Sequence, residues 1–212
     1  MGTKGARFDE RCRKPSCLFY GVNSDKNETI WASTDLKSDG WTSAYFLDKS
    51  DTISLAEFIP GSSAKILKGD APVSDLKPPE ILILEDNKTD DIRTIKMRLV
   101  SKREAPHLYM FFHPKVNIVG ANLNGRDIGG FDDSEERISE KWWQWAYFAV
   151  PEEGIVLTLR TESASSVEMK LTDVSYGFPE LPDFSFKPRP LYMMPAPYAF
   201  SDMTLVTKSY TF

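Results

Sequence analysis

Between Arg93 and Ser101 the chain reads Arg-Thr-Ile-Lys-Met-Arg-Leu-Val-Ser, with Ile95, Met97 and Leu99 alternating with Thr94, Lys96 and Arg98. A β-strand sends successive side chains to opposite faces, so this period of two fits a strand with one buried and one wetted face. It does not fit a helix, whose apolar positions recur every three to four residues. The same alternation returns in Ile155–Thr161 and Val167–Asp173, on either side of a Ser-rich turn. Shorter apolar runs bounded by turn residues fill much of the remainder. Cys17–Val22 ends at Asn23-Ser24-Asp25-Lys26-Asn27, and Thr29–Ser33 follows as its hairpin partner; Ser38-Asp39-Gly40 is another turn, with Trp41–Phe46 leading on from it as a strand-like segment. Glu80–Glu85 closes on Asp86-Asn87-Lys88, and Pro114-Lys115 separates His107–Phe112 from Val116–Ala121. Short strands in this number, with no strand–helix–strand rhythm, predict an all-β fold: an antiparallel β-sandwich, jelly-roll-like, with few short helices. The polar, acidic stretch 129–141 is the best candidate for a short helix, with an exposed loop as the alternative.

Proline shapes the rest. Pro179, Pro182, Pro188, Pro190, Pro195 and Pro197 fall between residues 177 and 200. Proline lacks the backbone N–H and fixes φ, so this stretch holds no regular helix or central strand. A final apolar alternating segment, Met203–Phe212, follows it. Ala71-Pro72 and Pro78-Pro79 bracket an extended loop. Residues 1–16 are polar and basic without periodicity and read as a lead-in or linker, leaving 17–212 as a single sandwich domain. A chain of 212 residues buries enough surface for a self-sufficient core.

The composition removes several function classes. Net charge is −5 with no basic block, a poor match to nucleic acid. No run of about 18 apolar residues is present to span a membrane as a helix, and Met1–Arg7 is not followed by the apolar stretch of a signal peptide. The two histidines, His107 and His113, lie outside any metal-ligand spacing, and on an extended strand they stand about 20 Å apart. Phosphate-cradling glycine loops and a Gly-x-Ser-x-Gly elbow are both missing. Cys12 and Cys17, four residues apart, read as free thiols or as a local disulfide. Carboxylate pairs such as Asp90-Asp91 and Glu152-Glu153 sit in turn-like segments, where solvated charge is the ordinary state. Asn27-Glu28-Thr29 and Asn87-Lys88-Thr89 match the glycosylation sequon but decide nothing about the compartment.

The aromatic group Trp142-Trp143-Gln144-Trp145 carries more information. On a strand, Trp143 and Trp145 share one face and Trp142 points to the other. Trp142 is then either a core position or a stacking platform for sugar or peptide, and Trp31 and Trp41 are candidates to join such a surface.

Several segments, taken in order, resemble the C-terminal soluble domain of membrane-bound zinc metallopeptidases of family 28, the endoplasmic-reticulum-metallopeptidase type in its bacterial form. The matching residues are Leu18–Val22, then Trp31-Ala32-Ser33-Thr34-Asp35 and Asp39-Gly40-Trp41-Thr42. Ala71-Pro72 with Leu76-Lys77-Pro78-Pro79 and the strand Arg93–Ser101 follow. Gly177-Phe178-Pro179, Arg189-Pro190, Met194-Pro195-Ala196-Pro197 and Ser201–Tyr210 complete the series, so the resemblance covers about residues 17–212. It implies a non-catalytic, extracytoplasmic accessory domain of a membrane-anchored parent. The partners it implies are the parent's peptidase and membrane domains, with peptide or glycan as a possible ligand. No cofactor is expected in this chain, because the family's zinc ligands belong to the separate peptidase domain. Arg93 and Asp202 fall in the matching segments and are expected to be structural. Two other readings stay open: a stand-alone carbohydrate-binding module, and a small hydrolase with a cleft of converging carboxylates or with Cys17 meeting His107 or His113.

Overall fold

The computed structural model describes residues 9–46, 51–129, 141–163, 166–197 and 199–212. The stretch expected as a short helix or exposed loop, 129–141, lies almost wholly outside them. The fold is all-β. Its strands are β1 (Lys14–Ser16), β2 (Phe19–Asn23), β3 (Glu28–Ser33), β4 (Asp51–Ser54), β5 (Lys65–Asp70), β6 (Glu80–Thr89), β7 (Ile92–Val100) and β8 (His107–Phe112). They continue with β9 (Ile118–Leu123), β10 (Arg126–Ile128), β11 (Trp143–Phe148), β12 (Ile155–Glu162), β13 (Glu168–Tyr176), β14 (Met193–Pro195) and β15 (Met203–Thr211). The helical elements among the described residues are two 3₁₀ turns, Thr42–Ala44 and Leu55–Glu57.

Two large sheets form. An eight-stranded sheet runs β11-β8-β13-β15-β2-β3-β5-β4, and a five-stranded sheet runs β10-β9-β12-β7-β6. Pairing is antiparallel except where β15 meets β2 and β1 meets β14. The chain crosses between these two sheets at β5→β6, β7→β8, β8→β9, β10→β11, β11→β12 and β12→β13, the back-and-forth passage of a jelly-roll-like sandwich. Runs that look like hairpins in sequence, such as Ile155–Thr161 with Val167–Asp173, are therefore strands of opposite sheets.

Alternation explains the core. Ile95, Met97 and Leu99 of β7 and Ile155, Leu157 and Leu159 of β12 meet Leu108, Met110 and Phe112 of β8 and Met169 and Leu171 of β13 between the sheets. The remainder of that face of the eight-stranded sheet packs on no described residue of the five-stranded sheet, and Met193 of the small β1–β14 sheet covers part of it. There Tyr20, Trp31 and Val206 are covered by the proline-rich segment, which lays Phe178, Phe184 and Phe186 on them. The opposite face buries Phe19, Ile30, Ala32, Phe111, Val174 and Leu205 beneath Leu55, Phe58 and Ile59. Both faces of the large sheet are thus apolar, which is why β2 is buried throughout and does not alternate.

A buried ion pair sits at the seam of two cores. Asp173 on β13 is in register with Leu108 of one core and Val206 of the other. Its carboxylate accepts from Arg103 Nε at 2.9 Å and from Ser101 Oγ at 2.5 Å. Arg103 also donates to the Asp173 carbonyl at 3.2 Å, the Thr204 carbonyl at 2.8 Å and Ser175 Oγ.

Three sequence expectations change. Asp86-Asn87-Lys88 does not turn the chain: β6 runs on to Thr89 and the reversal falls at Asp90, which takes φ 53°. Cross-strand pairs Arg93–Asp86 and Lys96–Glu85 hold the extension. Lys14–Ser16 is a strand beside Met193–Pro195, with Ser16 fully buried, so the fold begins before residue 17. Trp41–Phe46, which reads as a strand-like segment, is built on a 3₁₀ turn instead.

Candidate binding sites

Trp31 and Trp41 do not form a surface. Trp31 is 1% exposed and Trp41 2%. Trp31 is the hub of an aromatic cluster, with Tyr45 at 5.0 Å, Tyr20 at 5.2 Å, Phe178 at 5.3 Å and Phe184 at 5.5 Å between ring centroids. Trp41 donates from Nε1 to the Lys187 carbonyl at 2.8 Å and carries the Arg189 guanidinium 3.9 Å above its ring. Burying both rings corrects the expectation that they face a ligand. The parity expected for the tryptophan group is present, since Trp143 and Trp145 pack against the inter-sheet core and Trp142 against the opposite face. Trp142 itself is half-buried, edge-on to His113 at 5.1 Å and beside Gly61.

Ser16, Asp35, Asp39, Trp41, Arg189 and Asp202 gather into a clasp. Asp39 accepts from the backbone N–H groups of Trp41 at 2.9 Å and Thr42 at 2.8 Å, and from Ser16 Oγ at 2.9 Å. Burial pushes the Asp39 carboxyl up, but the Thr42, Trp41 and Ser16 hydrogen bonds outweigh it and bring the pKa down to about 2. Asp35 accepts from the Cys17 N–H at 2.9 Å. Arg189, stacked on Trp41, donates to the Ser16 carbonyl at 2.9 Å and to Asp202. The clasp ties β1, the loop after β3 and the proline-rich segment together. Arg93 is also structural, bonding Asp86 and the Phe212 carbonyl.

The hydrolase pairing is not assembled. Cys17 is buried, with Sγ directed at the Phe200 carbonyl at 3.7 Å, and burial raises its thiol pKa. His107 and His113 pair with other groups, Tyr176 and Lys115 N–H. Both cysteines are free, Cys12 exposed. Among the described residues no three His, Cys, Asp or Glu side chains gather to hold a metal ion.

Sequence reasoning missed a cleft of about 380 Å³, lined by His107, Tyr109, Phe148, Val174, Tyr176, Ala199, Phe200 and Met203. The strands explain it. His107 of β8 pairs with Phe148 of β11 and with Val174 of β13, so the ends of three neighbouring strands present their side chains on one face. The apolar cover of that face stops short of this end. Phe148 is left 60% exposed and Tyr176 67%. His107 stands between them, edge-on to Phe148 at 5.0 Å and to Tyr176 at 5.3 Å.

His107 sets the polarity of the cleft. Desolvation lowers its pKa, so the ring is neutral at pH 7. Nε2 lies 2.8 Å from the Tyr176 hydroxyl, and Nδ1 is buried without a partner among the described residues. An unpaired buried N–H is rarer than an unpaired acceptor, which assigns the ring proton to Nε2, donating to the Tyr176 oxygen. The phenol proton is then free to donate into the cleft.

Neither family models nor curated proteins give a match to this chain.

Proposed function

We propose that this chain is a non-catalytic accessory domain of a membrane-anchored zinc peptidase on the extracytoplasmic side, and that it holds a peptide segment by one large apolar side chain. The observation that carries the peptide role is the His107–Tyr176 cleft. Its lining is uncharged, its walls are aromatic and aliphatic, and one hydroxyl is free to take an acceptor such as a peptide carbonyl. Its volume is at the small end of ligand sites, the scale of a side chain or two. The resemblance in the clasp segments supports the parentage, with zinc and the chemistry that zinc supplies belonging to the separate peptidase domain.

A second observation favours packing against the parent. Leu82, Ile83 and Leu84 are each 43% exposed on β6, an edge strand paired only with β7 among the described residues. An apolar run on an open edge invites a partner strand or surface.

The test uses the full chain and capped tetrapeptides that differ in one residue, titrated by calorimetry. Peptides with Phe or Leu bind, and the Ala and Asp versions bind at least tenfold more weakly. Phe148→Ser lowers affinity for the Phe peptide, and Tyr176→Phe lowers it by the loss of one hydrogen bond. Equal binding of all four peptides, or an unchanged affinity in Phe148→Ser, refutes the peptide role. Parentage is tested separately, by whether the reading frame upstream encodes membrane spans and a zinc peptidase domain.

A further inference from the structure

We infer that the outer face of the five-stranded sheet carries a niche for a neutral saccharide, built on Arg160. It lies on another sheet from the cleft and does not depend on the peptide reading. The niche measures about 390 Å³ and is lined by Ala121, Asn122, Asp127, Thr158 and Arg160. Strand register builds it. Asp127 of β10 pairs with Asn122 of β9, Asn122 pairs with Thr158 of β12, and Arg160 sits two residues further along β12, opposite Gly120.

Gly120 determines where the guanidinium lies. A Cβ at that position would stand 2.5 Å from Arg160 Nη2 and 2.8 Å from Nε, so the absent side chain lets the fork lie flat across the strand. On the other wall Asp127 is held by Asn122, whose Nδ2 donates to Oδ1 at 2.9 Å. Arg160 and Asp127 therefore line one hollow with opposite charges, yet they form no ion pair with each other, and Arg160 has no ion-pair partner among the described residues.

A forked donor facing a carboxylate–amide pair, with the Thr158 hydroxyl between, calls for a ligand that accepts on one side and donates on the other. A pair of neighbouring sugar hydroxyls does both. A simple anion meets Asp127 and a simple cation meets Arg160, so charge selects a neutral ligand. Among the described residues no aromatic ring lines the niche. Binding then rests on hydrogen bonds in water, which points to a dissociation constant on the order of 1 mM.

The experiment is an amide NMR titration of the full chain with glucose, galactose, mannose and N-acetylglucosamine, and with inorganic phosphate as the charged control. One or more of the sugars is expected to shift the Gly120, Asn122 and Thr158 amides saturably. Arg160→Ala and Asp127→Asn, both at exposed positions, each weaken that binding at least tenfold without moving the urea midpoint. Gly120→Ala, which displaces the guanidinium while keeping it, does the same. Four results overturn the proposal: no sugar shifts these amides, phosphate alone shifts them and does so more strongly in Asp127→Asn, the variants bind as the parent does, or the shifts fall on His107 and Tyr176.

Discussion

Removing Arg103 tests the account of the seam between the two cores. Asp173 is fully buried and its pKa is raised, first by desolvation, against the lowering by Arg103 and Ser101. Arg103→Met keeps the apolar stem and deletes the guanidinium. The carboxylate keeps Ser101 Oγ, while the Asp173 and Thr204 carbonyls and Ser175 Oγ each lose a donor. Breaking a buried pair from one side costs about 3–5 kcal/mol at pH 7. With a slope near 2 kcal/mol/M, the urea midpoint falls by about 1.5–2.5 M. The pH dependence separates this cause from lost packing. A carboxyl whose folded pKa lies above its unfolded value penalises the fold as pH rises through that interval, and the penalty is absent below the unfolded value. Without Arg103 the folded pKa climbs further, so the deficit is largest at neutral pH and narrows on acidification as Asp173 protonates. Arg103→Met combined with Asp173→Asn recovers part of the loss at pH 7. The assay is urea unfolding followed by tryptophan fluorescence from pH 4 to 8. A loss below about 1 kcal/mol, or a deficit that does not change with pH, refutes the reasoning.

Three further outcomes follow from other parts of the fold. Asp39→Asn removes a carboxylate whose folded pKa, about 2, lies below the ordinary 3.8; allowing for solvent screening it costs about 1–2 kcal/mol at neutral pH. That contribution is complete above pH 3.8 and disappears as pH falls through 2, so urea midpoints of the two proteins should converge in acid. Gly154→Ala, at φ 82° with its Cβ 2.3 Å from the Leu99 carbonyl oxygen, destabilises by about 2 kcal/mol or more, and an unchanged melting temperature would contradict that geometry. Cys12 reacts with a disulfide reagent in the native protein while Cys17 reacts only on unfolding; two fast thiols would place Cys17 elsewhere than under Phe200.

The fold class was legible because most strands bury one face and wet the other, and alternation records that choice directly, as in Ile95, Met97 and Leu99. Where both faces are covered the signal fades: β2 reads as a plain apolar run and its parity cannot be seen. Asp86-Asn87-Lys88 reads as a strand end because its turn-forming residues carry only a local signal, while Arg93 and Lys96 on the next strand keep β6 straight. Trp31 and Trp41 looked available because their cover comes from Phe178, Phe184, Phe186 and Arg189, more than a hundred residues away in a segment whose prolines reveal only irregularity. The cleft was hidden for the same reason, since its walls come from four separate stretches. One local sign was present. In β11, Trp143, Trp145 and Tyr147 occupy the core parity, so Phe148 is a large apolar residue on the wet one.

The residues of the clasp and the residues that line the cleft are different sets, and the fold shows why. Asp35, Asp39, Trp41, Arg189 and Asp202 are spent on holding β1, the loop after β3 and the proline-rich segment against the large sheet. Their hydrogen-bonding groups are turned inward, so what they specify is a backbone arrangement and not a ligand. His107, Phe148 and Tyr176 stand at strand ends beyond that cover, where a substitution alters the surface without unseating a core residue. Chains sharing the clasp should therefore share the sandwich while differing in what the cleft accepts. A protein with the clasp intact but Phe148 and Tyr176 replaced by small polar residues is expected to fold alike and to lose the affinity for apolar peptide side chains.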